Sequence, residues 1–177
     1  PPSYDFGSLI TTATTPLNKS VTVKNNTGVT LFLTSVTGTA SPHFTMVSET
    51  CTSMTTGMTN GSSCSMVVEF LPRGGGLHNF AVNIAYGLVT GATDRTGAAN
   101  FLGTGALPAD LIISDGPTFN FGDIVVTAVA EKSLTVTNAG NIDATGLSGA
   151  GLAAPFDFKG GSYPGVGGTC GAALAAS

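Results

Sequence analysis

The chain has 177 residues, room for one large domain or two of roughly 90 to 100. It combines 42% hydrophobic residues with only 9% charged ones and contains no Trp. A net charge of −4, with six Lys and Arg spread singly, leaves no basic stripe to neutralise phosphates, so nucleic acid is excluded as a partner. No apolar run approaches the roughly 20 residues a helical membrane span needs. Pro1-Pro2-Ser3 is neither an initiator Met nor a signal peptide, so any secretion signal is expected upstream or already removed.

Abundant Gly, Thr, Ser and Val favour strands and turns over helices. In chain order, strands are expected over residues 4–9, 19–25, 31–37, 44–47, 64–70, 79–86 and 98–104, broken by Asn26-Thr27-Gly28, Ser41-Pro42-His43 and Arg73-Gly74-Gly75-Gly76. Phe80, Val82, Ile84 and Tyr86 alternate with smaller or polar residues, the pattern of a strand with one face in a core. Cys51 and Cys64 bracket a polar Gly/Thr/Asn loop, and Cys64 opens the alternating run Met66, Val68, Phe70 that stops at Pro72. This is the outline of a disulfide-closed loop feeding a strand. No histidine lies near the two cysteines, and zinc ligands come in closer pairs, so an oxidising compartment is the better reading. Leu102-Gly103-Thr104-Gly105 closes a first domain over 1–107. Ala106-Leu107-Pro108 is the linker into a second domain over 108–177, whose first strand is Asp110-Leu111-Ile112-Ile113.

The second domain repeats the first. Tyr4-Asp5-Phe6-Gly7 matches Phe119-Asn120-Phe121-Gly122, and Lys19-Ser20-Val21-Thr22-Val23 matches Lys132-Ser133-Leu134-Thr135-Val136. The turn Asn26-Thr27-Gly28 is matched to Asn138-Ala139-Gly140, Phe44 to Phe156, and Thr50-Cys51 to Thr169-Cys170. The Gly-rich stretch 159–168 reads as a lengthened surface loop. The second copy supplies strands only up to Phe158, so Cys170 is unpaired within this chain. The missing strands are expected either downstream in the natural chain or from another chain.

Phe6-Gly7, Asn26-Thr27-Gly28, Phe44, Cys51, Ser63-Cys64, Phe70-Leu71-Pro72 and Leu102-Gly103-Thr104-Gly105, echoed by Phe121-Gly122, Asn138-Ala139-Gly140, Pro155-Phe156 and Gly168-Thr169-Cys170, form an ordered series. It resembles the immunoglobulin-like repeats of the abnormal-spindle/Hydin type, in the secreted bacterial version called choice-of-anchor D. The resemblance covers essentially the whole chain. It implies an all-β fold of tandem antiparallel β-sandwiches, the second incomplete, and a stalk, spacer or adhesive role at a bacterial cell surface, in the extracellular space or in the periplasm. It carries over no catalytic residue and no cofactor. The implied partners are neighbouring repeats or subunits, with a surface glycan or a protein as ligand.

Other chemistry finds little support in the residues. His78 and Asp94 could be joined with one of many serines, but no spacing singles out a nucleophile, and His43 sits in a turn. The ten acids are scattered, which disfavours the paired carboxylates of glycoside chemistry. Asp110, Asp115 and Asp123 near the domain junction are the one calcium candidate, without a DxDxD run. Arg73-Gly74-Gly75-Gly76 lacks the Lys-Ser/Thr of a phosphate cradle. Met46, Met54, Met58 and Met66 could form an adaptable contact surface, with Met46 and Met66 better placed as core. Asn18, Asn25 and Asn60 stand in glycosylation triplets. The expectation is a non-enzymatic structural module. The alternatives are a filament subunit completed by strand donation from a neighbour, and an accessory module of a carbohydrate-active enzyme.

Overall fold

In the computed structural model, which describes residues 1–177, the chain divides into two units, Pro1–Ala106 and Leu107–Ser177. Every regular element is a strand, and no helix is long and apolar enough to cross a membrane.

The first unit holds β1 (Ser3–Ile10), β2 (Leu17–Lys24), β3 (Phe32–Gly38), β4 (Phe44–Glu49), β5 (Ser63–Phe70), β6 (Gly76–Gly87) and β7 (Arg95–Ala106). They form a four-stranded sheet, ordered β1-β7-β6-β3, and a three-stranded sheet, ordered β2-β5-β4. The two-residue period of a strand explains what each sheet buries. On β5 it turns Cys64, Met66, Val68 and Phe70 inward, on β6 Phe80, Val82 and Ile84, and on β7 Ala99 and Phe101. These side chains join Val21 and Phe44 in one core drawn from both sheets. Phe70 lies at its centre, with ring centroids 4.7 Å from Phe44 and 5.8 Å from Phe6. Burial of one such side chain contributes about 1.5–3 kcal/mol. Gly103 faces this ring so closely that an added Cβ would lie 2.7 Å from it. The position therefore excludes any larger residue.

One pairing departs from the antiparallel arrangement expected from sequence. β1 runs parallel to β7, from Ser3 opposite Asn100 to Ile10 opposite Ala106. The first and last strands of the unit are joined by no hairpin, so no tight turn imposes an antiparallel sense on them. Strand ends also differ. β6 begins at Gly76 rather than residue 79 and β7 at Arg95 rather than residue 98, because the β6–β7 ladder continues from Gly76 opposite Gly105 to Tyr86 opposite Arg95.

The second unit is sparser. β8 (Leu111–Ile113) pairs antiparallel with β9 (Val136–Asn138), and β10 (Ala144–Thr145) with β11 (Ala173–Leu174). Of the strand expected over 132–136, only Val136 is in a strand, and Phe119 to Gly122 forms none. The counterparts of these segments in the first unit are held by β5 and β7, and the second unit contains no strand that could take either part. Thr135 is instead tied to Ser114, whose N–H donates to the Thr135 carbonyl at 2.8 Å and whose hydroxyl accepts from the Thr135 N–H at 2.9 Å. Leu134 and Phe156 are 48% and 55% exposed, against 4% and 3% for Val21 and Phe44.

Candidate functional site

The most built feature of the first unit is the end of β2 and the loop it grips. Asn25, directly after β2, is 1% exposed and fully engaged. Its Nδ2 donates to the carbonyls of Val29 at 2.7 Å and Met58 at 2.6 Å. Its Oδ1 accepts from the Thr27 N–H at 2.9 Å and the Thr27 hydroxyl at 2.7 Å. Leu31 and Met58 exchange both backbone hydrogen bonds, and Asn60 Oδ1 accepts from the Gly28 N–H at 2.9 Å. A buried amide whose donors and acceptor are all used ties two loops that are far apart in sequence. Such an Asn25 offers no nitrogen to a glycan, which removes it from the glycosylation candidates.

The Cys51–Cys64 disulfide closes the same loop, with Cα atoms 5.0 Å apart. Cys51, Cys64 and Met58 form a small buried cluster, with Met54 half-buried against it. Met58 is thus core and no part of an exposed methionine surface; Met66 is also fully buried, and Met46 packs half-buried against the main core. The Glu49 carboxylate closes the turn after β4, accepting from the backbone N–H groups of Cys51 at 2.6 Å and Thr52 at 2.9 Å and from the Thr52 hydroxyl. Burial alone would raise the pKa of Glu49, but these hydrogen bonds outweigh it and hold the group below its usual value. Beside the loop lies a groove of about 260 Å³, lined by Phe32, Thr34, Thr52, Met54 and Thr55 among others.

The two histidines meet at the opposite end of the unit. Their rings stack with centroids 3.6 Å apart and 15° between planes. His43 Nδ1 accepts from the Arg73 N–H at 3.0 Å, and His78 Nε2 donates to the Gly74 carbonyl at 2.8 Å. The pair therefore braces the Arg73–Gly76 turn. Desolvation, and then the neighbouring His78, lower the pKa of His43. His78 lies near the start of β6, whereas Asp94 lies in the β6–β7 turn beyond its far end, 3.8 Å from the Arg95 Nε. Eight strand residues place them roughly 26 Å apart. Sequence-based pairing of His78 with Asp94 does not survive this separation.

The second unit repeats several of these contacts. Asn138 is 1% exposed, and its Nδ2 points at the carbonyls of Ile142, 2.8 Å, and Leu174, 3.4 Å. Its Oδ1 accepts from the N–H groups of Gly140 and Asp110, each at 3.0 Å. Ala144 pairs with Leu174 as Leu31 pairs with Met58. Asn25, not Asn26, is therefore the counterpart of Asn138, a one-residue correction to the repeat register. The signal was present in the sequence: each Asn ends the matched strand and is followed four residues on by Val29 or Ile142. The starts also agree. Asp5 Oδ1 accepts from the Gly7 N–H at 2.8 Å and Asn120 Oδ1 from the Gly122 N–H at 2.8 Å. Gly7 and Gly122 have φ of +75° and +73°, a backbone region where a side chain is strained. Phe6 and Phe44 sit 5.8 Å apart, Phe121 and Phe156 5.9 Å. Cys170 is free and half-buried.

The calcium candidates do not converge. The Asp115 carboxylate lies 3.0 Å from Lys132 Nζ, and no three His, Cys, Asp or Glu side chains are grouped to hold a metal. Hydrogen bonds from Lys132 and Ser114 lower the pKa of Asp115.

No family model matches the chain, and no curated protein matches it. Among solved structures it is similar to the VesB protease of Vibrio cholerae, with a TM-score of 0.44 and 17% identity over 58% of this chain and 30% of that one. It is also similar to the secreted serine protease VesC of Vibrio cholerae, with a TM-score of 0.44 and 15% identity over 58% of this chain and 21% of that one. In both, the matched region spans less than a third of the neighbour.

Proposed function

We propose that the chain is a non-enzymatic structural module of a bacterial extracellular or cell-surface protein, made of tandem immunoglobulin-like β-sandwich repeats of the abnormal-spindle/Hydin type. Its task is to extend, space or present other parts of that protein. The observation that carries this reading is the recurrence of one device. The buried Asn with its two carbonyl partners, the Asx-Gly start and the paired phenylalanines occur once in each unit, in the same order. Serial repetition of a scaffold is what a spacer requires, since length then grows by adding copies. The disulfide favours an oxidising compartment. The two imidazoles are occupied in bracing a turn, and neither contacts a serine hydroxyl placed for attack.

The reading is tested by assaying the purified chain, together with His43→Ala and His78→Ala variants, on ester, peptide and glycoside substrates. It expects no turnover from any of the three proteins. Turnover by the parent chain that either substitution abolishes would overturn it.

A second reading is favoured by the exposure of Leu134 and Phe156 in the second unit. There the unit accepts a strand from outside these residues, as a filament subunit does from its neighbour.

A further inference from the structure

The parallel pairing of β1 with β7 has a mechanical consequence. The chain enters the first unit at Ser3, opposite Asn100, and leaves it at Ala106, opposite Ile10. In a parallel pair, the start of one strand and the end of the other lie at opposite ends of the ladder. Tension applied through the two ends of the unit therefore slides β1 along β7 instead of lifting it away. The ladder has two segments, Ser3–Asp5 opposite Asn100–Leu102 and Ser8–Ile10 opposite Thr104–Ala106, separated by an irregularity at Phe6 and Gly7. The bonds of both segments bear load together, with the Asn100 N–H to Pro2 carbonyl and Thr11 N–H to Ala106 carbonyl bonds flanking them. An antiparallel pair pulled from its adjacent ends would break one bond at a time.

Side chains reinforce the same seam. Tyr4 stacks on Phe101 at 5.3 Å, and Phe6 sits 6.3 Å from the same ring, which is fully buried. Sliding β1 by one residue would carry Tyr4 and Phe6 off Phe101 and reverse the faces of the strand. β1 is the outermost strand of its sheet and pairs only with β7. The hydrogen-bonded attachment of β1 to the sheet therefore lies in this one seam, which a pull on the termini must break. The Cys51–Cys64 crosslink lies outside it, between the end of β4 and the start of β5.

We propose that the first unit is a force-bearing element whose β1–β7 seam is a shear clamp, resisting tension along the N-to-C direction of the polypeptide. The proposal rests on the structural reading above and assigns that module a load direction.

Single-molecule force spectroscopy on the full chain tests it. One pulling geometry carries handles at Pro1 and Ser177; the other carries them at Pro1 and at the exposed Thr90, through Thr90→Cys with Cys170→Ser. Thr90 lies in the β6–β7 turn, at the same end of the ladder as Ser3, so that pull peels the seam. Forced unfolding reports the barrier along the pulled direction. Pulling on the termini is expected to give one abrupt rupture at least about twofold higher in force than the peeling geometry at the same loading rate. Reducing the disulfide should lengthen the terminal-pull step by about 45 Å, from thirteen released residues at about 3.6 Å each, and leave its force unchanged. Equal forces in the two geometries, or a terminal-pull force that drops on reduction, would overturn the clamp. Chemical denaturation of the Thr90→Cys, Cys170→Ser protein, with an unchanged midpoint, verifies that the handle did not weaken the fold. Failure of the clamp leaves the non-enzymatic reading standing, because that reading falls only to turnover in the substrate assay.

Discussion

The two units share local devices and end differently. Both carry an aromatic segment with an Asx-Gly turn, and both bury an Asn that holds one carbonyl four residues on and one far along the chain. Only the first unit goes on to β5, β6 and β7, and only there do the matched apolar positions become core. Val21 is 4% exposed and Leu134 48%, although both occupy the middle of the same motif. Local sequence therefore suffices for the Asx turns, whereas the Asn anchor also takes a carbonyl far along the chain, that of Met58 in the first unit and of Leu174 on β11 in the second. Strands and aromatic burial depend on partners far along the chain. Tertiary pairing, more than β-propensity, decides whether such a segment is a strand.

The largest difference should lie between the isolated halves. Residues 1–106 are expected to give a soluble monomer with a single cooperative thermal transition, and residues 107–177 to show none, by circular dichroism and calorimetry. A cooperative transition from 107–177 alone would mean that its exposed apolar side chains find a core that the first unit's plan does not describe.

Matched phenylalanines sharpen the comparison. Phe44→Ala removes a ring that is 3% exposed and packs on Phe70 and Phe80, and should cost about 3–5 kcal/mol by urea denaturation. Phe156→Ala, at a ring 55% exposed, should fall within about 0.5 kcal/mol. The cysteines divide the same way: Cys51→Ser with Cys64→Ser should cost about 3 kcal/mol, and Cys170→Ser should leave the midpoint of the first unit in place.

The smallest effect concerns the histidine pair, which the second unit lacks. His43 resists protonation in the folded state, so the unfolded chain binds the proton more readily. Stability is then complete above the ordinary value of 6.5 and falls as pH drops through it. Urea midpoints of residues 1–106 should decline modestly between pH 7.5 and 5.5, and a His43→Gln variant should flatten that decline. Glu49, whose pKa is also lowered, acts in a separate window: its contribution is present above 4.5 and is lost as pH falls further.

Much of the fold is legible in the residues because strands have a short period and turns a restricted chemistry. The alternation through Met66, Val68 and Phe70 and the Cys51–Cys64 loop can be read directly. The parallel sense of β1 cannot, because nothing local to residues 3–10 encodes the direction of a partner nearly a hundred residues away. In sequence Asn25 reads as a glycosylation triplet and its neighbour as the turn residue, since an exposed and a buried Asn look the same there. The stacking of His43 on His78 is equally invisible, being a contact between the turn before β4 and the start of β6 that only the folded sheets bring together.

The equivalence of the two units is tested most directly by supplying the second with what it lacks. Appending a copy of residues 62–72, Ser-Ser-Cys-Ser-Met-Val-Val-Glu-Phe-Leu-Pro, after Ser177 places a cysteine at the distance from Leu174 that Cys64 has from Met58. In a glutathione redox buffer, Cys170 of the extended chain is expected to become protected from alkylation, with the mass lower by two hydrogens and residues 132–136 slower in amide exchange. A control extension, with the copies of Met66, Val68 and Phe70 replaced by Ser, should leave Cys170 reactive and the exchange fast. Equal reactivity of Cys170 in both extended chains, without exchange protection in either, would contradict the equivalence.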